Sequence, residues 1–557
     1  MSKKQLLLAQ MCIFSLMIFS EQPDFSERNG ADDIDPVVQS YLESEGKSAE
    51  GKTEFKYTKE KQTAKSSRPR KPSSEEIEKI DAKDEKKSTD EYVKQTTESF
   101  KYGLESEISK LLDELTANED LRFVDPIYDL FYSTKNPAIR NKILTYFAKL
   151  KDPCLSDFAT ETINDPYDVK KETVDLCFKY VAEVKCKEAV PGLVELVDKE
   201  DEAYFNGALS ALGELGESEE AQFLASYIDR DDLTVAQRQS LMRVLGKIKA
   251  VETYSKLADI AQNEDENSFV RMYAAEAIGA MKVKESEEIL LKLFEEDDPN
   301  FRVYVLKGIA NFDDEKADDV ILQALRDSQY KVRLEAVNQV KERNMKSAVP
   351  YLIYRCKDKE EEKVVKEKCY SVIAELNDKE GNEYLISILK DKKVADGTKG
   401  KVAGYLLEFN HAGTDEIIEL ARESLKSDLM KNLRYALGKE FAKYGRKEFE
   451  QICKEYIESE DVATQGTGLD IWAKGRYSSL RSLVADIAKD ADEEDAPKTD
   501  SKTYQFGQKK KNANAKKAKR ILQNVDSLTG WTEEEKSPSS DPELDAVSSA
   551  APSSADK

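Results

Sequence analysis

The chain has 557 residues, 35% of them charged and 39% hydrophobic, with a formal net charge of −24. It is too long and too polar for one ordinary globular core, and it suits a thin array with a high surface-to-volume ratio. The acidity excludes nucleic acid as a default partner, because such a surface repels phosphate backbones. A single histidine, His411, excludes a histidine-based triad or a multi-histidine metal site within one chain.

Lys3 and Lys4 form a short positive start, and Leu6 to Phe19 form an apolar run. The run is too short for a comfortable membrane span and suits the apolar core of a secretory signal. Residues 1–20 are therefore predicted to be a signal peptide or a retained N-terminal anchor. A lipid-anchored reading would use Cys12, but Ala9, Gln10 and Met11 before it fit a lipobox badly. Export places the mature protein in the periplasm or cell envelope; the alternative is a cytosolic adaptor. Residues 21–99 are rich in Lys, Glu, Ser and Thr and read as a disordered polar linker.

From residue 100 to 492 the chain repeats. Arg140, Lys170, Arg238, Arg271, Arg302, Arg333, Lys366, Lys399 and Arg434 recur at about one repeat or two. Seven residues after each lies an apolar anchor: Phe147, Cys177, Leu245, Ile278, Ile309, Val340, Ile373, Leu406 and Phe441. Leu212 and Trp472 serve two weaker repeats. Four residues before the anchors the column is small or apolar, as in Ile143, Ala274, Val305 and Ala336. That is one helical turn back on a buried face. Two residues before the anchors it turns polar, as in Arg243, Glu276, Lys307 and Asn338, with Gly404 the exception. A period of this size predicts stacked helical hairpins, about eleven of them, each burying its apolar face on its neighbours. Asn136-Pro137, Asp165-Pro166 and Asp298-Pro299 are predicted to open helices, the acid or amide as N-cap and the proline at the first helical position.

Six cysteines follow the signal: Cys154, Cys177, Cys186, Cys356, Cys369 and Cys453. None has metal-site spacing. They read as buried small hydrophobes; the alternative is disulfides such as Cys177 with Cys154 or Cys356 with Cys369. Residues 493–557 form a second disordered tail. Within it, 509–529 carries a basic segment, Lys509 to Arg520, followed by apolar residues at helical spacing. Three fates are open to it: docking on the acidic array, contact with an anionic membrane surface, or none.

Phe269-Val-Arg-Met-Tyr-Ala-Ala-Glu-Ala-Ile-Gly279 and Tyr330-Lys-Val-Arg-Leu-Glu-Ala336 resemble the second helix of a HEAT repeat. Ala189-Val-Pro-Gly-Leu-Val-Glu-Leu-Val197 and Ala348-Val-Pro-Tyr-Leu-Ile353 resemble the first. The short period resembles the bacterial, phycobilin-lyase-type HEAT subgroup. The resemblance implies an all-α superhelix, a HEAT solenoid flanked by the two tails. It also implies a ladder role for Arg140, Arg238, Arg271, Arg302, Arg333 and Arg434, bonding acids or carbonyls between repeats; the alternative is a basic stripe for an anionic ligand. No catalytic, cofactor or metal residues are assigned. The function expected is a non-catalytic interaction scaffold of the bacterial envelope. Its partner would be a cationic protein or peptide, held on the inner face at Arg243, Tyr273, Glu276, Tyr304, Lys307 and Asn338. Of the three fates open to the basic tail segment, docking on the array would place it on the same strip in cis, as an inhibitor. The rival is a lyase-like enzyme or a chaperone of chromophore attachment.

Overall fold

A computed structural model of the chain describes residues 57–65, 67–83, 89–230, 232–489, 491 and 513–525. Residues 1–20, and with them the signal or anchor, lie outside the described residues. So do the adjoining stretch to residue 56 and most of the C-terminal tail.

The regular elements described are all helices. After α1 (Ser74–Lys83) they alternate between an outer and an inner row. The first pairs are α2 and α3 (Asp90–Tyr102, Glu105–Asn118), α4 and α5 (Val124–Ser133, Pro137–Lys149), and α6 and α7 (Ser156–Asn164, Lys171–Glu183). Next come α8 and α9 (Val190–Asp198, Phe205–Leu215), α10 and α11 (Ser218–Ala225, Val235–Lys247), and α12 and α13 (Tyr254–Gln262, Ser268–Ala280). The middle holds α14 and α15 (Lys284–Leu293, Pro299–Ile309), α16 and α17 (Glu315–Ala324, Tyr330–Glu342), and α18 and α19 (Val349–Lys357, Lys363–Leu376). Then follow α20 and α21 (Lys379–Lys390, Asp396–Phe409), α22 and α23 (Thr414–Leu425, Lys431–Tyr444), and α24 and α25 (Glu450–Ile457, Val462–Gly475). The last pair is α26 (Arg481–Lys489) and α27 (513–525). The array is a HEAT-type solenoid, one pair longer at each end than the repeat columns indicate.

Local sequence explains most pairs. Asn136 caps α5 by accepting from the Ala138 amide at 2.9 Å, and Asp298 caps α15 by accepting from Asn300 at 2.8 Å. The paired columns Ile143/Phe147, Ala274/Ile278, Val305/Ile309 and Ala336/Val340 are all fully buried. A lone hairpin would leave that face in water, so burial requires the neighbouring repeats. Many inner helices end on a residue in the left-handed region, such as Lys151, Lys282, Asn344 and Asn377. That residue turns the chain into the next outer helix.

The second repeat departs from the expected register. Lys170 is the N-cap of α7, and its fourth position, a cation in α5 and in α11 through α23, is the buried Val174. Val181, not Cys177, holds the place of Phe147, with left-handed Lys185 four residues on as Lys151 is in α5. Asp165-Pro166 does not open a helix either. Asp165 ends α6, and Pro166 accepts from the Val169 amide in a turn before α7 begins.

The linker expected over 21–99 also needs correction. Residues 57–65 and 67–73 run as a non-helical strap along the outer helices, and α1 and α2 follow before residue 103. Polar composition predicted disorder here because the strap's partners lie elsewhere in the chain: Tyr57 and Lys59 meet Glu220. The array likewise does not stop at 492. α27 lies on α25, with Asn514 Nδ2 donating to the Val462 carbonyl at 2.7 Å and Lys517 Nζ to that of Gly466 at 2.7 Å. Ala518, Ile521, Leu522 and Val525 are buried, so α27 packs as an inner helix, the last among the described residues.

Candidate functional site on the inner helices

Six arginines, Arg140, Arg238, Arg271, Arg302, Arg333 and Arg434, are each the fourth residue of an inner helix. Arg302 forks onto Asp327, Nε to Oδ2 at 2.9 Å and Nη2 to Oδ1 at 3.0 Å. Its Nη1 donates to the carbonyls of Glu296 and Asp297, just beyond its own outer helix. Arg333 repeats the arrangement one step on, forking onto Glu361 at 2.8 and 2.5 Å and donating to the carbonyls of Asp327 and Ser328. Arg238 forks onto Glu266 at 2.8 and 2.6 Å. Arg271 donates to the Ala261 carbonyl and to Glu296, and lies 4.4 Å above the Phe301 ring. Arg434 and Arg140 donate to the ends of their outer helices, at Ser424 and Phe131. Guanidinium geometry lets one side chain close an outer helix and reach the acid before the next inner helix. The bonds named lie within the array, and Arg238 Nε and Arg434 Nε and Nη2, which have no hydrogen-bond partner, are buried, so the column is not an open basic stripe.

The polar column on the inner face is half-buried at Arg243, Glu276, Lys307 and Asn338, and so are Tyr273 and Tyr304 beside it, one turn earlier on their helices. The structure brings five of them together. Tyr304 Oη donates to Tyr273 Oη at 3.3 Å, their rings meet edge-on at 5.0 Å, and Lys307 Nζ lies 4.8 Å from the Tyr304 ring. Burial pushes the Glu276 carboxyl above the usual carboxylate range; Lys307 and Arg243 oppose the shift and Glu335 adds to it. Asn338 stands apart, donating to Glu335 on its own helix at 3.3 Å. The helices behind the strip nearly touch. A Cβ on Gly246 would come 2.6 Å from the Ala277 Cα, and one on Gly279 would overlap the Gly308 backbone. Such close approach crowds the strip's side chains onto one another.

An open concavity lies further along the same column. Between α21 and α23 is a groove of about 470 Å³, floored by Gly397, Gly400 and Gly404 and walled by Tyr405 and Tyr435. Gly397 has nothing within 4 Å of where a Cβ would stand, and for Gly404 the nearest atom, Glu440 Cδ, is 3.4 Å away. Tyr435 Oη donates to Asp461 Oδ2 at 2.6 Å, which fixes one wall. Lys401 pairs with Glu367 at 2.6 Å and Lys443 with Glu440 at 2.7 Å, while Lys439 is exposed at the rim. The sequence carried a signal for this groove: Gly404 breaks the polar column, in register with Glu276 and Lys307.

The described part of the basic tail segment, from residue 513, does not reach the strip. In α27 it pairs Lys517 with Asp470 at 2.7 Å, at the far end of the same column. The expected occupation of the strip in cis is therefore corrected. Lys509 to Lys511 lie outside the described residues. The six cysteines are free and buried, and burial pushes the Cys177 thiol up to about 12. His411 is exposed in the turn after α21, in the left-handed region, with its ring against Arg446.

Among solved structures, the chain is similar to that of Kap121p, at 10% identity and a TM-score of 0.34, over 81% of this chain and 55% of that one. It is similar also to yeast importin-beta (Kap95p), at 12% identity and a TM-score of 0.35, over 78% of this chain and 73% of that one. The chain thus spans about half the length of Kap121p. These likenesses are too distant to bear on function. No curated protein matches the chain. A family model described as spirochaete HEAT repeat protein matches residues 100–521. The match says nothing of the phycobilin-lyase likeness. It runs from the end of α2 into α27, well over half of the sequence, and the chain belongs to the spirochaete HEAT repeat protein family.

Proposed function

We propose that the protein is a non-catalytic scaffold of the bacterial cell envelope that binds a protein partner along its inner helices. The observation that carries this reading is the glycine-floored groove between α21 and α23, open on the same column that is filled at Tyr273 and Tyr304. Solenoids use such continuous surfaces to hold extended partners. Tyrosines beside a bare helix backbone offer rigid apolar walls with polar tips, and so a place for a partner side chain to insert. The net charge of −24 favours a cationic partner, whose association weakens with salt.

The test places a photo-cross-linking residue at Lys439 and a second one on the outer row at Lys316, in cells that express the protein. A protein adduct at Lys439 that is lost on Gly404→Trp, with the melting temperature unchanged, supports the reading. Adducts indifferent to Gly404→Trp would sink it. The envelope location rests on Met1 to Ser20. Fusing residues 1–40 to a reporter active only after export checks it; a silent reporter restores the cytosolic adaptor.

A further inference from the structure

The strap shows how the outer row of helices recognises a polypeptide. Tyr57 Oη donates to Glu220 Oε1 at 2.9 Å, and its ring lies 5.9 Å from Phe223. Lys59 Nζ reaches Glu220 at 2.7 Å and Glu219 at 3.1 Å, all on α10. Lys61 Nζ pairs with Glu195 on α8 at 2.8 Å and donates to the Asn164 carbonyl at the end of α6 at 2.7 Å. Asn164 Nδ2 returns a bond to the Gln62 carbonyl at 2.9 Å. Arg68 pairs with Asp129 on α4 at 2.6 Å and lies 5.0 Å above the Tyr128 ring. The Arg70 amide donates to Asp152 at 2.8 Å.

The register follows from elementary geometry. Lys59 sits on α10 and Arg68 on α4, so nine residues cross three steps of the outer row. Packed helices lie roughly 8–10 Å apart, and an extended chain advances about 3.3 Å per residue. Three extended residues therefore match one step of the row, so an extended span of nine residues carries a cation from α10 to α4, as it does from Lys59 to Arg68.

The strap's cations keep access to solvent. The side chains of Lys59, Lys61 and Arg68 are 39%, 37% and 65% exposed, and ion pairs so exposed contribute little. A cavity of about 260 Å³ remains beneath it, lined by Lys59 and Gln62 of the strap and by Val190, Pro191, Leu215 and Glu217 of the array. Beneath the strap, Glu220 is 1% exposed: Tyr57 and Lys59 cover one oxygen, and the other accepts from the Glu217 amide at the start of α10.

We infer that the outer groove over α4 to α10 is a docking surface for an extended, lysine- and tyrosine-bearing segment of another protein, and that the strap is its built-in competitor. The occupant's chemistry is that of the strap: a tyrosine for Phe223 and Glu220, lysines two and four residues later for Glu219, Glu220 and Glu195, and a cation seven residues further for Asp129. The inference stands on the outer row and does not depend on the inner groove.

The probe is a labelled synthetic peptide with the sequence of residues 57–72. It is titrated into the full chain and into a full-length variant in which Tyr57, Lys59, Lys61 and Arg68 are each changed to Ser. The variant is expected to bind the peptide at least tenfold more tightly than the unaltered chain. Binding should weaken with salt and vanish when Glu220→Lys is added. Equal affinity for the two chains, no binding to either, or binding that survives Glu220→Lys overturns the proposal. If the variant does not fold, hydrogen exchange on the unaltered chain decides. Excess peptide should speed exchange of the Arg70 amide at least severalfold as the strap leaves Asp152, and an unchanged rate overturns the proposal.

Discussion

The seam at α11, α13 and α15 and the groove at α21 and α23 use the same residue type on the same row of helices, with opposite results. At the seam, Gly246 faces Ala277 and Gly279 faces Gly308, so absent side chains let the backbones meet. At the groove, Gly397, Gly400 and Gly404 face open space, Ala436 and the end of Glu440. The difference lies in the partner helix. Where its backbone comes up to the glycine, as at Ala277 and Gly308, the helices close together and the polar side chains in front are squeezed into contact. Where it presents Tyr435, Lys439 and Glu440, it stands off and leaves a concavity. A glycine in an inner helix thus seals or opens the surface according to a residue about 30 positions away.

Substitutions at the seam and the groove test this difference. The largest effect is expected beside the seam, at Arg333→Ala. That change leaves Glu361, whose side chain is fully buried, without its forked partner. Uncovering a buried carboxylate costs about 3–5 kcal/mol, read as a lowered unfolding midpoint in denaturant. A shift below about 1 kcal/mol would mean that Arg355, 3.5 Å from Glu361, takes over.

Gly279→Val is expected to follow, destabilising by about 2–3 kcal/mol because the new side chain has only the Gly308 backbone to displace. A neutral outcome would show that the seam opens as readily as the groove.

An acid-dependent effect comes third, at the groove wall. Despite its partial burial, Asp461 is held well below the usual carboxylate range by bonds from Lys431, Thr464 and Tyr435. A carboxyl depressed in the folded state adds stability that is present above its unfolded value of about 4 and lost as pH falls through the folded one. The melting temperature of the unaltered chain should therefore fall more steeply below about pH 4 than that of Asp461→Asn, which keeps a capping side chain. Parallel curves would show that the tie to Tyr435 carries no stability.

The smallest effect has the opposite sign. Gly404→Ala should stabilise by about 0.5–1 kcal/mol, because alanine fits a helix interior better and the site has room. Loss of stability would mean that the groove is closed in solution.

The sequence shows the all-helical array, its period and the faces of its inner helices, because amphipathic spacing and caps are local and recur. It also placed Arg302 and Arg333 at one helical position, though not the carboxylates they hold. Tertiary structure decided the rest. The repeat at Lys171–Glu183 slips by one turn because Val174 fills the place of the cation, and a column chosen by charge follows Lys170 instead. The strap and α27 both read as polar tails, since their stabilising partners are supplied by distant repeats: Lys59 meets Glu220, 161 positions away, and Asn514 meets Val462, 52 positions away. A polar segment shows no apolar face of its own when the surface it docks on is assembled only by the stack. Gly404 was visible as an exception and Gly279 as part of a HEAT-like helix, yet whether either one seals or opens depends on the helix packed against it. Local patterns fix how each helix is made, and only the stacking of one repeat on the next fixes which groups meet.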